Sequence, residues 1–325
     1  MRLGVLDIGS NTAHLRIADL AAGHPPQPVA TLKRQVRLAE VIDREGFVGR
    51  AGIDRLTEAV GEAAAVAAHH RVHELLPFAT AAIRDAANRD PILAEIQAVT
   101  GVRVGYLDAE QEARLTFLAA RRWYGWSAGP ILLADIGGGS MELAYGGGET
   151  PDLALSLPLG AGRLTRHRLP DPERVKKKHR RRLREHVESV LAEGVGEITA
   201  RHRAGQATAV ATSRTFSQLA RLCGAAKAKD GLHVTRELRR DDLRQAIELL
   251  AGRTPVQRAQ LPGVSAARAR QILAGAIVAD ATLAALDLTS VQICPWALRE
   301  GILLDRLRHS AGQVRHLFAI KGESA

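Results

Sequence analysis

The sequence has few cysteines, few aromatic residues and no long apolar run, and each shortage excludes a class of protein. Among 325 residues the only cysteines are Cys223 and Cys294, too few for a disulfide framework or a four-cysteine metal site. No apolar run approaches the roughly 20 residues that a membrane-spanning helix needs. The chain enters a strand-like segment at Leu3, so we expect no signal or transit peptide. A protein of the reducing cytoplasm fits these features.

The scarcity of aromatic residues also bears on the binding partner. Phe, Trp and Tyr make up 3% of the chain, whereas proteins that bind single strands or read RNA depend on aromatic stacking. The formal net charge of +10 favours polyanionic partners such as nucleic acid, anionic lipid or polyphosphate. We expect no specific nucleic-acid partner and no membrane partner, although a protein that contacts only the nucleic-acid backbone needs no aromatic residues.

One short segment occurs twice. Residues 3–6 and 13–18 predict two strands around a tight turn, and residues 131–146 repeat this pattern at an offset of 128 residues without a gap. The two turns read Asp7-Ile8-Gly9-Ser10-Asn11-Thr12 and Asp135-Ile136-Gly137-Gly138-Gly139-Ser140. A repeated hairpin at the start of each half predicts a duplicated α/β unit, with the cleft between the halves as the expected ligand site.

The domain prediction follows from this repeat. We expect a first domain over residues 1–124, a second over 125–310 with a basic helical insertion, and a tail over 311–325. The remaining pattern predicts helices over 53–71, 90–100, 109–122, most of 241–287 and 296–307, and strands at 75–80, 102–107, 153–157, 207–212 and 290–294.

Turns of this kind suggest anion binding. Successive backbone N–H groups converge in such a turn, and glycine permits close backbone approach and unusual dihedral angles. Neither copy is a Walker loop or a dinucleotide fingerprint, because no lysine follows the glycines and no helix begins there. A single copy reads equally well as an ordinary hairpin, but two copies predict phosphate binding. The predicted phosphate-binding residues are Gly9, Ser10, Asn11 and Thr12, and Gly137, Gly138, Gly139 and Ser140.

Carboxylates at the strand ends suit a divalent cation, since Mg²⁺ prefers a few carboxylates plus substrate phosphates. The candidates are Asp7, Asp135 and Glu142. The first hairpin has His14 where the second has Glu142, so the two copies differ. A solvated strand residue is the alternative interpretation of Glu142.

Two further residues could act on a bound phosphate. Glu112 shares the apolar face of the helix that follows Asp108, so it is either a general base or a glutamate that complements the helix dipole. Arg84 could contact phosphate oxygens in pairs, or it could pair with its neighbour Asp85 at the surface.

A basic run lies in the second half. Residues 163–184 contain eleven Lys or Arg against Asp171 and Glu173. Such a run is usually a solvated helix face. Because apolar residues are interspersed, we expect it to pack on the domain and to guide a polyanionic chain with salt-sensitive affinity. The interspersed residues are Val175, Leu183, Val187, Val190 and Leu191.

With these residues the chain resembles the exopolyphosphatase/guanosine pentaphosphate phosphohydrolase (Ppx/GppA) family, over about residues 1–308 and most closely its short, two-domain actinobacterial type. The segments that carry the resemblance are residues 4–12, 79–86, 112–115, 135–143 and Ala297-Leu298-Arg299-Glu300-Gly301. The resemblance implies two duplicated ribonuclease-H-like domains of the actin/Hsp70/sugar kinase superfamily. The family often has glycine in the loop where this chain has Thr212-Ser213-Arg214-Thr215, which affects the shape expected for the distal substrate groove.

The resemblance also implies roles for individual residues. Glu112 would be the catalytic base, Asp135 and Glu142 the Mg²⁺-associated carboxylates, and the hairpins with Arg84 the phosphate grip. Mn²⁺ is an alternative ion, and a monovalent cation such as K⁺ is a further candidate cofactor. The substrate would be inorganic polyphosphate, and a homodimer is expected.

Three other functions stay open at this point. The same residues could hydrolyse guanosine pentaphosphate, or the chain could be a non-catalytic sensor of polyphosphate or of guanosine penta- and tetraphosphate. An ATP-dependent kinase of the same superfamily would carry a later Gly-Gly loop, and no Gly-Gly pair follows Gly148.

Overall fold

The computed structural model describes residues 1–38, 41–43, 45–171, 174–205 and 207–310. It contains two compact units, one formed by residues 1–115 together with the segment that begins at Leu298, the other by residues 116–297. Among the helices of the described residues, none combines the length and hydropathy of a membrane span. The predicted tail at 311–325 and Glu173 of the predicted basic insertion lie outside the described residues.

The first unit is built on a five-stranded sheet. Its strands are β1 (Arg2–Ile8), β2 (Thr12–Asp19), β3 (Gln27–Gln35), β4 (Glu74–Ala79) and β5 (Gly105–Tyr106), in the sheet order β3-β2-β1-β4-β5. Its helices are α1 (Arg50–His69), α2 (Ala81–Arg84), α3 (Arg89–Thr100), the first part of α4 (Ala109–Tyr124) and α13 (Leu298–Ser310).

The second unit has a six-stranded sheet. Its strands are β6 (Ile131–Ile136), β7 (Met141–Gly146), β8 (Leu153–Leu157), β9 (Thr208–Ala211), β10 (Glu237–Arg239) and β11 (Ser290–Ile293), in the order β10-β11-β9-β6-β7-β8. The remaining helices are α5 (Ala161–Arg168), α6 (Lys177–Gly194), α7 (Gly196–Gly205), α8 (Ser213–Leu222), α9 (Arg240–Ala251), α10 (Pro255–Arg258), α11 (Ala266–Ala269) and α12 (Ile272–Ala285).

The two sheets have the same topology, which confirms the predicted duplication. In each unit the first two strands form an antiparallel hairpin, and the first strand pairs in parallel with the strand that follows the first long crossover. Strand β1 therefore corresponds to β6, β2 to β7, β3 to β8, β4 to β9 and β5 to β11. Only β10 has no counterpart in the first unit among the described residues.

Each central strand is buried on both faces, because helices cover both sides of its sheet. In β1, Leu6 and Ile8 pack with α1 and α3, whereas Leu3 and Val5 pack with Leu303 of α13. In β6, alternate residues likewise enter two separate apolar clusters. The helix α12 is apolar on all sides and lies in the core of the second unit.

The unit boundaries differ from the predicted boundary at residues 124 and 125. The division falls between Leu115 and Thr116, inside α4, and again before Leu298. Trp123 and Tyr124, which precede the predicted boundary, are the last residues of α4. The repeated hairpin marks where each repeat begins, but the packing of the last helix is decided by tertiary contacts, which place α13 against β1.

Two other local predictions differ from the structure. Strand β5 has two residues where six were predicted, and β3 was not predicted at all. Strand β3 lies at the edge of its sheet and is largely exposed, so its sequence lacks the alternation of apolar and polar residues typical of a half-buried strand.

Candidate active site

In the first hairpin turn, backbone carbonyl groups accept hydrogen bonds from a neighbouring segment of the chain. Gly9 N–H donates to the Thr12 carbonyl at 3.0 Å and closes the turn. The segment after β3 then donates to the turn, with Val36 N–H bonded to Asn11 O at 2.9 Å and Leu38 N–H to Ser10 O at 2.8 Å. Within the described residues, the N–H groups of Ser10 and Asn11 have no recorded acceptor. The arrangement leaves these two donors available to an anion.

The second hairpin turn is built in the same way. Gly137 N–H donates to Ser140 O at 2.9 Å. The start of α5 holds the turn from behind, because Ala161 N–H donates to Gly137 O at 3.0 Å and Arg163 N–H to Gly138 O at 2.9 Å. The Arg163 side chain adds a bond from Nε to Gly139 O at 2.9 Å. In the described part of the chain, the N–H groups of Gly138 and Gly139 also lack a recorded acceptor.

Glycine is required here for close approach rather than for unusual dihedral angles. Gly9, Gly137, Gly138 and Gly139 are not among the described glycines with positive φ, so that part of the expectation is wrong. The close approach occurs at Gly160, where an added Cβ would lie 2.2 Å from the Gly139 carbonyl carbon. Gly160, which precedes α5 and follows the end of β8 by three residues, was not identified from the sequence.

In the second unit, polar side chains form a row across the ends of four strands. Asp135 of β6 pairs with Glu142 of β7, and Glu142 pairs with Ser156 of β8. The Ser156 hydroxyl donates to Glu142 Oε1 at 3.0 Å, and the Thr212 hydroxyl donates to Asp135 Oδ2 at 2.5 Å. Glu142 is only 2% exposed, which argues against a solvated strand residue. Ser156 and Thr212 were not predicted as site residues.

This donor set fits a magnesium ion that is completed by water and substrate. Two carboxylates on directly opposite residues, each held by a hydroxyl group, are what Mg²⁺ uses in phosphate-binding sites. Within the described residues, no group of three or more His, Cys, Asp or Glu side chains converges as a closed metal site. The pair Asp135 and Glu142 therefore suits an ion shared with a ligand rather than an ion enclosed by protein.

In the first unit the corresponding row carries a different charge. Asp7 pairs with His14 across the hairpin, and His14 pairs with Lys33 of β3. The Asp7 carboxylate accepts a bond from Arg299 of α13, with Nη1 and Oδ2 3.1 Å apart. This cationic neighbour disfavours the metal role predicted for Asp7. Arg299 lies in a segment that carried the family resemblance, but no role had been predicted for it.

Arg84 and Glu112 meet at the same edge of the first sheet. Strands β1, β4 and β5 are parallel, so their C-terminal ends lie together. Arg84 Nη1 lies 3.2 Å from Glu112 Oε2 and 3.2 Å from the Leu107 carbonyl, and its Nε bonds Asp85 at 3.0 Å. The pairing with Asp85 is confirmed, although the Arg84 side chain is only 12% exposed, and its contact with phosphate stays a prediction. Glu112 is held in the first turn of α4 by a guanidinium group.

The start of α4 is fixed by a capping box. Gln111 N–H donates to Asp108 Oδ1 at 2.8 Å, and Asp108 N–H donates to Gln111 Oε1 at 3.0 Å. Glu110 pairs with Arg114 at 2.5 Å, four residues along the helix. Glu112 is different, because its side chain is only 15% exposed. The cap and the Arg84 contact together orient this carboxylate.

The loop after β9 adopts a conformation that favours glycine. Ser213 has φ of +74°, in the left-handed region where non-glycine residues are strained. This loop is the place where the resembled family often has glycine. The strained residue follows Thr212, whose hydroxyl group contacts Asp135.

The basic run spans the end of α5 and the start of α6, and α6 packs as expected. Leu183, Val187 and Leu191 are buried against the core of the second unit. Not all of its charge faces solvent, because Arg184 contacts the buried Asp280 at 2.6 Å and Arg180 contacts Glu248 at 2.7 Å. Lys176, Lys177, Lys178, Arg181 and Arg182 are exposed. On α5, burial and then the charge of Arg163 lower the pKa of Arg166 from its usual value.

Comparison with known proteins agrees with this geometry. The model of the Ppx/GppA phosphatase family matches residues 16–310. Exopolyphosphatase 1 of Mycobacterium tuberculosis is 49% identical over 314 residues, which cover 96% of this chain and 90% of that protein. Exopolyphosphatase 1 of Mycobacterium leprae is 47% identical over 96% of this chain and 91% of that protein.

A solved structure shows the same fold. The crystal structure of an exopolyphosphatase from Cytophaga hutchinsonii matches with a TM-score of 0.83 and 22% sequence identity, covering 95% of this chain and 98% of that one. At this identity the likeness establishes the fold, and it agrees with the two duplicated sheets described above.

Proposed function

The chain belongs to the Ppx/GppA phosphatase family, and from that premise we propose that it is an exopolyphosphatase. It removes terminal phosphate groups from inorganic polyphosphate by hydrolysis. The observation that carries this proposal is the 49% identity to an exopolyphosphatase over 96% of the chain. The two phosphate hairpins and the buried Glu142 beside Asp135 support it.

Each hairpin supplies a cradle for phosphate oxygens. The N–H groups of Ser10 and Asn11 in the first, and of Gly138 and Gly139 in the second, are the proposed donors, with Gly9, Thr12, Gly137 and Ser140 closing the turns. Donors of this kind are fixed before the reaction begins, so they stabilise developing charge on the phosphoryl oxygens without reorganising.

Asp135 and Glu142 are the proposed ligands of Mg²⁺, with Mn²⁺ as a substitute and K⁺ as a further candidate ion. When bound, the divalent ion would offset negative charge on the transferred phosphoryl group. The chain's own contribution is to hold both carboxylates in place, through the hydroxyl groups of Ser156 and Thr212.

Glu112 is the proposed general base. It accepts a proton from the attacking water, whose oxygen forms a bond to the terminal phosphorus atom. The bridging P–O bond breaks, and the shortened polyphosphate leaves in line with the attack. Arg84 orients the Glu112 carboxylate at 3.2 Å, and a guanidinium group is suited to phosphate oxygens. The exposed cations of α6 would guide the polyanionic chain.

The proposal extends to the cellular setting. We expect a cytoplasmic homodimer that uses no membrane and no specific nucleic-acid partner, with guanosine penta- and tetraphosphate as further candidate ligands. Size-exclusion chromatography with light scattering tests the dimer, and a monomer at micromolar concentration contradicts it.

The deciding experiment is a phosphate-release assay with purified protein and Mg²⁺ over polyphosphates of graded length. Guanosine pentaphosphate and ATP are assayed in parallel under the same conditions. We expect release from polyphosphate to exceed release from both nucleotides. Preference for guanosine pentaphosphate assigns the second activity of the family instead, and binding of polyphosphate without release assigns a sensor.

A further inference from the structure

Arg299 of α13 contacts the Asp7 carboxylate of the first hairpin, with Nη1 and Oδ2 3.1 Å apart. We infer that Arg299 is a phosphate-binding residue of this hairpin, where its guanidinium group has the role that the divalent ion has at the second. This inference rests on the proposed function for the chemistry of the ligand, a phosphate chain. It assigns a binding role to a residue of α13, whose chain position is far from either hairpin.

The first support is that most of the donor capacity of Arg299 is unused. A guanidinium group carries five N–H donors, and the bond from Nη1 to Asp7 is the one that the described residues show. The Nε atom of Arg299 is buried and has no hydrogen-bond acceptor among the described residues. The side chain is 22% exposed and that of Asp7 23%, so a ligand can reach both.

A second arginine of α13 shows what a purely structural pair looks like. Arg306 contacts Glu74 with two donors, Nε at 2.9 Å and Nη2 at 2.5 Å. That contact uses both oxygens of the carboxylate. Arg299 instead makes a single contact through one nitrogen, which leaves its planar fork able to bind a phosphate group in a bidentate manner.

The charge of the two hairpins gives the third support. The cross-strand row of the second hairpin holds two acids, Asp135 and Glu142, so it requires an added cation before it can accept phosphate. The row of the first hairpin holds Asp7 and Lys33, and Arg299 makes the local charge positive without any metal ion. Phosphate binding at the first hairpin should therefore not depend on divalent ions.

The test is binding of polyphosphate in EDTA, followed by filter binding or fluorescence anisotropy of a labelled chain. The variants are R299Q, the matched control R306Q on the same helix, and D7N. We expect R299Q to weaken binding about tenfold to a hundredfold, the range for losing charge-assisted hydrogen bonds. R306Q should bind as the unaltered protein does.

The D7N variant distinguishes phosphate binding by Arg299 from mere neutralisation of the Asp7 charge. If Arg299 served only to neutralise Asp7, D7N would make the arginine dispensable, so the double variant D7N/R299Q would bind as D7N does, and that result overturns the inference. If Arg299 binds phosphate, D7N binds as the unaltered protein does or more tightly, and D7N/R299Q binds clearly more weakly than D7N. R299K should give intermediate affinity, because it keeps the charge but loses the fork. Thermal unfolding of each variant identifies any that fails to fold.

Two further outcomes are decisive. Absence of metal-free polyphosphate binding by the unaltered protein overturns the inference, as does R299Q binding within about twofold of it. Failure of the proposed function looks different: no phosphate is released with Mg²⁺, while the order of metal-free affinities is retained. In that case Arg299 stands as a binding residue of a protein that does not hydrolyse polyphosphate.

Discussion

In the first hairpin Asp7 lies across from His14 and next to Arg299, whereas in the second hairpin Asp135 lies across from Glu142. The main chains of the two turns are similar. Each turn is closed by a hydrogen bond from the N–H group of its first glycine, and in each turn carbonyl groups accept hydrogen bonds from another segment of the chain. The difference that matters for binding lies in the side chains at the strand ends. The two hairpins differ in the source of the positive charge that offsets the negative charge of a bound phosphate.

The difference shows that a duplicated anion cradle can be completed in two ways. Carboxylates on opposite strand residues have Cβ atoms roughly 5 Å apart, and at an effective dielectric constant of 20 two such charges repel by about 3 kcal/mol. At the second hairpin an ion from solution would remove this repulsion. At the first hairpin the protein supplies the cation through Arg299, and no ion is needed.

The largest effect is expected from E112Q, because Glu112 is the proposed general base. Glutamine keeps the shape of the side chain but cannot accept the proton from water. We expect kcat to fall about 10³-fold, within the range for general-base catalysis, with polyphosphate affinity little changed. Phosphate release under saturating substrate, together with a binding assay, measures both quantities.

The matched control is E110Q, which removes the exposed partner of Arg114 on the same helical turn. Exposed pairs of this kind contribute less than about 1 kcal/mol, so E110Q should release phosphate at the rate of the unaltered protein. Turnover retained in E112Q removes Glu112 from the mechanism and returns the choice of base to the hairpins.

The next largest effect is expected from E142Q, which tests whether the divalent ion binds at the second hairpin and not at the first. E142Q should lower Mg²⁺-dependent phosphate release by about 10²-fold, because it removes one of two carboxylates from a metal that stabilises transition-state charge. Electron paramagnetic resonance of bound Mn²⁺ gives a readout that does not depend on turnover. In E142Q the Mn²⁺ signal should weaken sharply, whereas D7N should keep it. Equal loss in both variants contradicts the assignment of the ion to the second hairpin.

The parts of this comparison that are local in sequence were predictable, and the long-range parts were not. The hairpins and the pairing of Asp135 with Glu142 follow from strand periodicity around a short turn. The contact between Asp7 and Arg299 spans 292 residues, and that between Arg84 and Glu112 spans 28. Such contacts depend on how helices pack on the sheet, which no local pattern specifies.

The role of Glu112 shows a second limit of prediction from sequence. Its spacing on α4 placed it on the apolar face, and the structure agrees that it is mostly buried. Periodicity alone could not distinguish a base from a glutamate that complements the helix dipole, and the family resemblance made that choice. Thr212 was noticed only as a departure from the family pattern, because its contact with Asp135 joins residues that are 77 positions apart in the sequence.

A smaller effect should follow from T212V, which removes the hydroxyl group bonded to Asp135 and keeps the shape of the side chain. Losing a partner of a metal ligand typically weakens metal affinity by about 10- to 100-fold. We expect the lower end of this range, seen as a higher Mg²⁺ concentration for half-maximal activity and weaker Mn²⁺ binding. The control T208V lies at the start of β9, the strand that Thr212 follows, and the Thr208 hydroxyl group bonds the Ala128 carbonyl instead. Similar shifts in both variants would indicate a general effect on β9.

The smallest effect is expected from H14E, which gives the first hairpin the cross-strand carboxylate pair of the second. Arg299 Nη1 lies 3.1 Å from Asp7 Oδ2. A positive charge about 4 Å from a bound cation destabilises the binding of that cation by about 4 kcal/mol at an effective dielectric constant of 20. H14E alone should therefore bind no additional Mn²⁺, while the double variant H14E/R299Q should bind a second ion per chain in an electron paramagnetic resonance titration. A second ion in H14E alone would mean that the missing carboxylate, and not the arginine, keeps divalent ions from the first hairpin. No second ion in the double variant would mean that the two cradles differ in more than their charge.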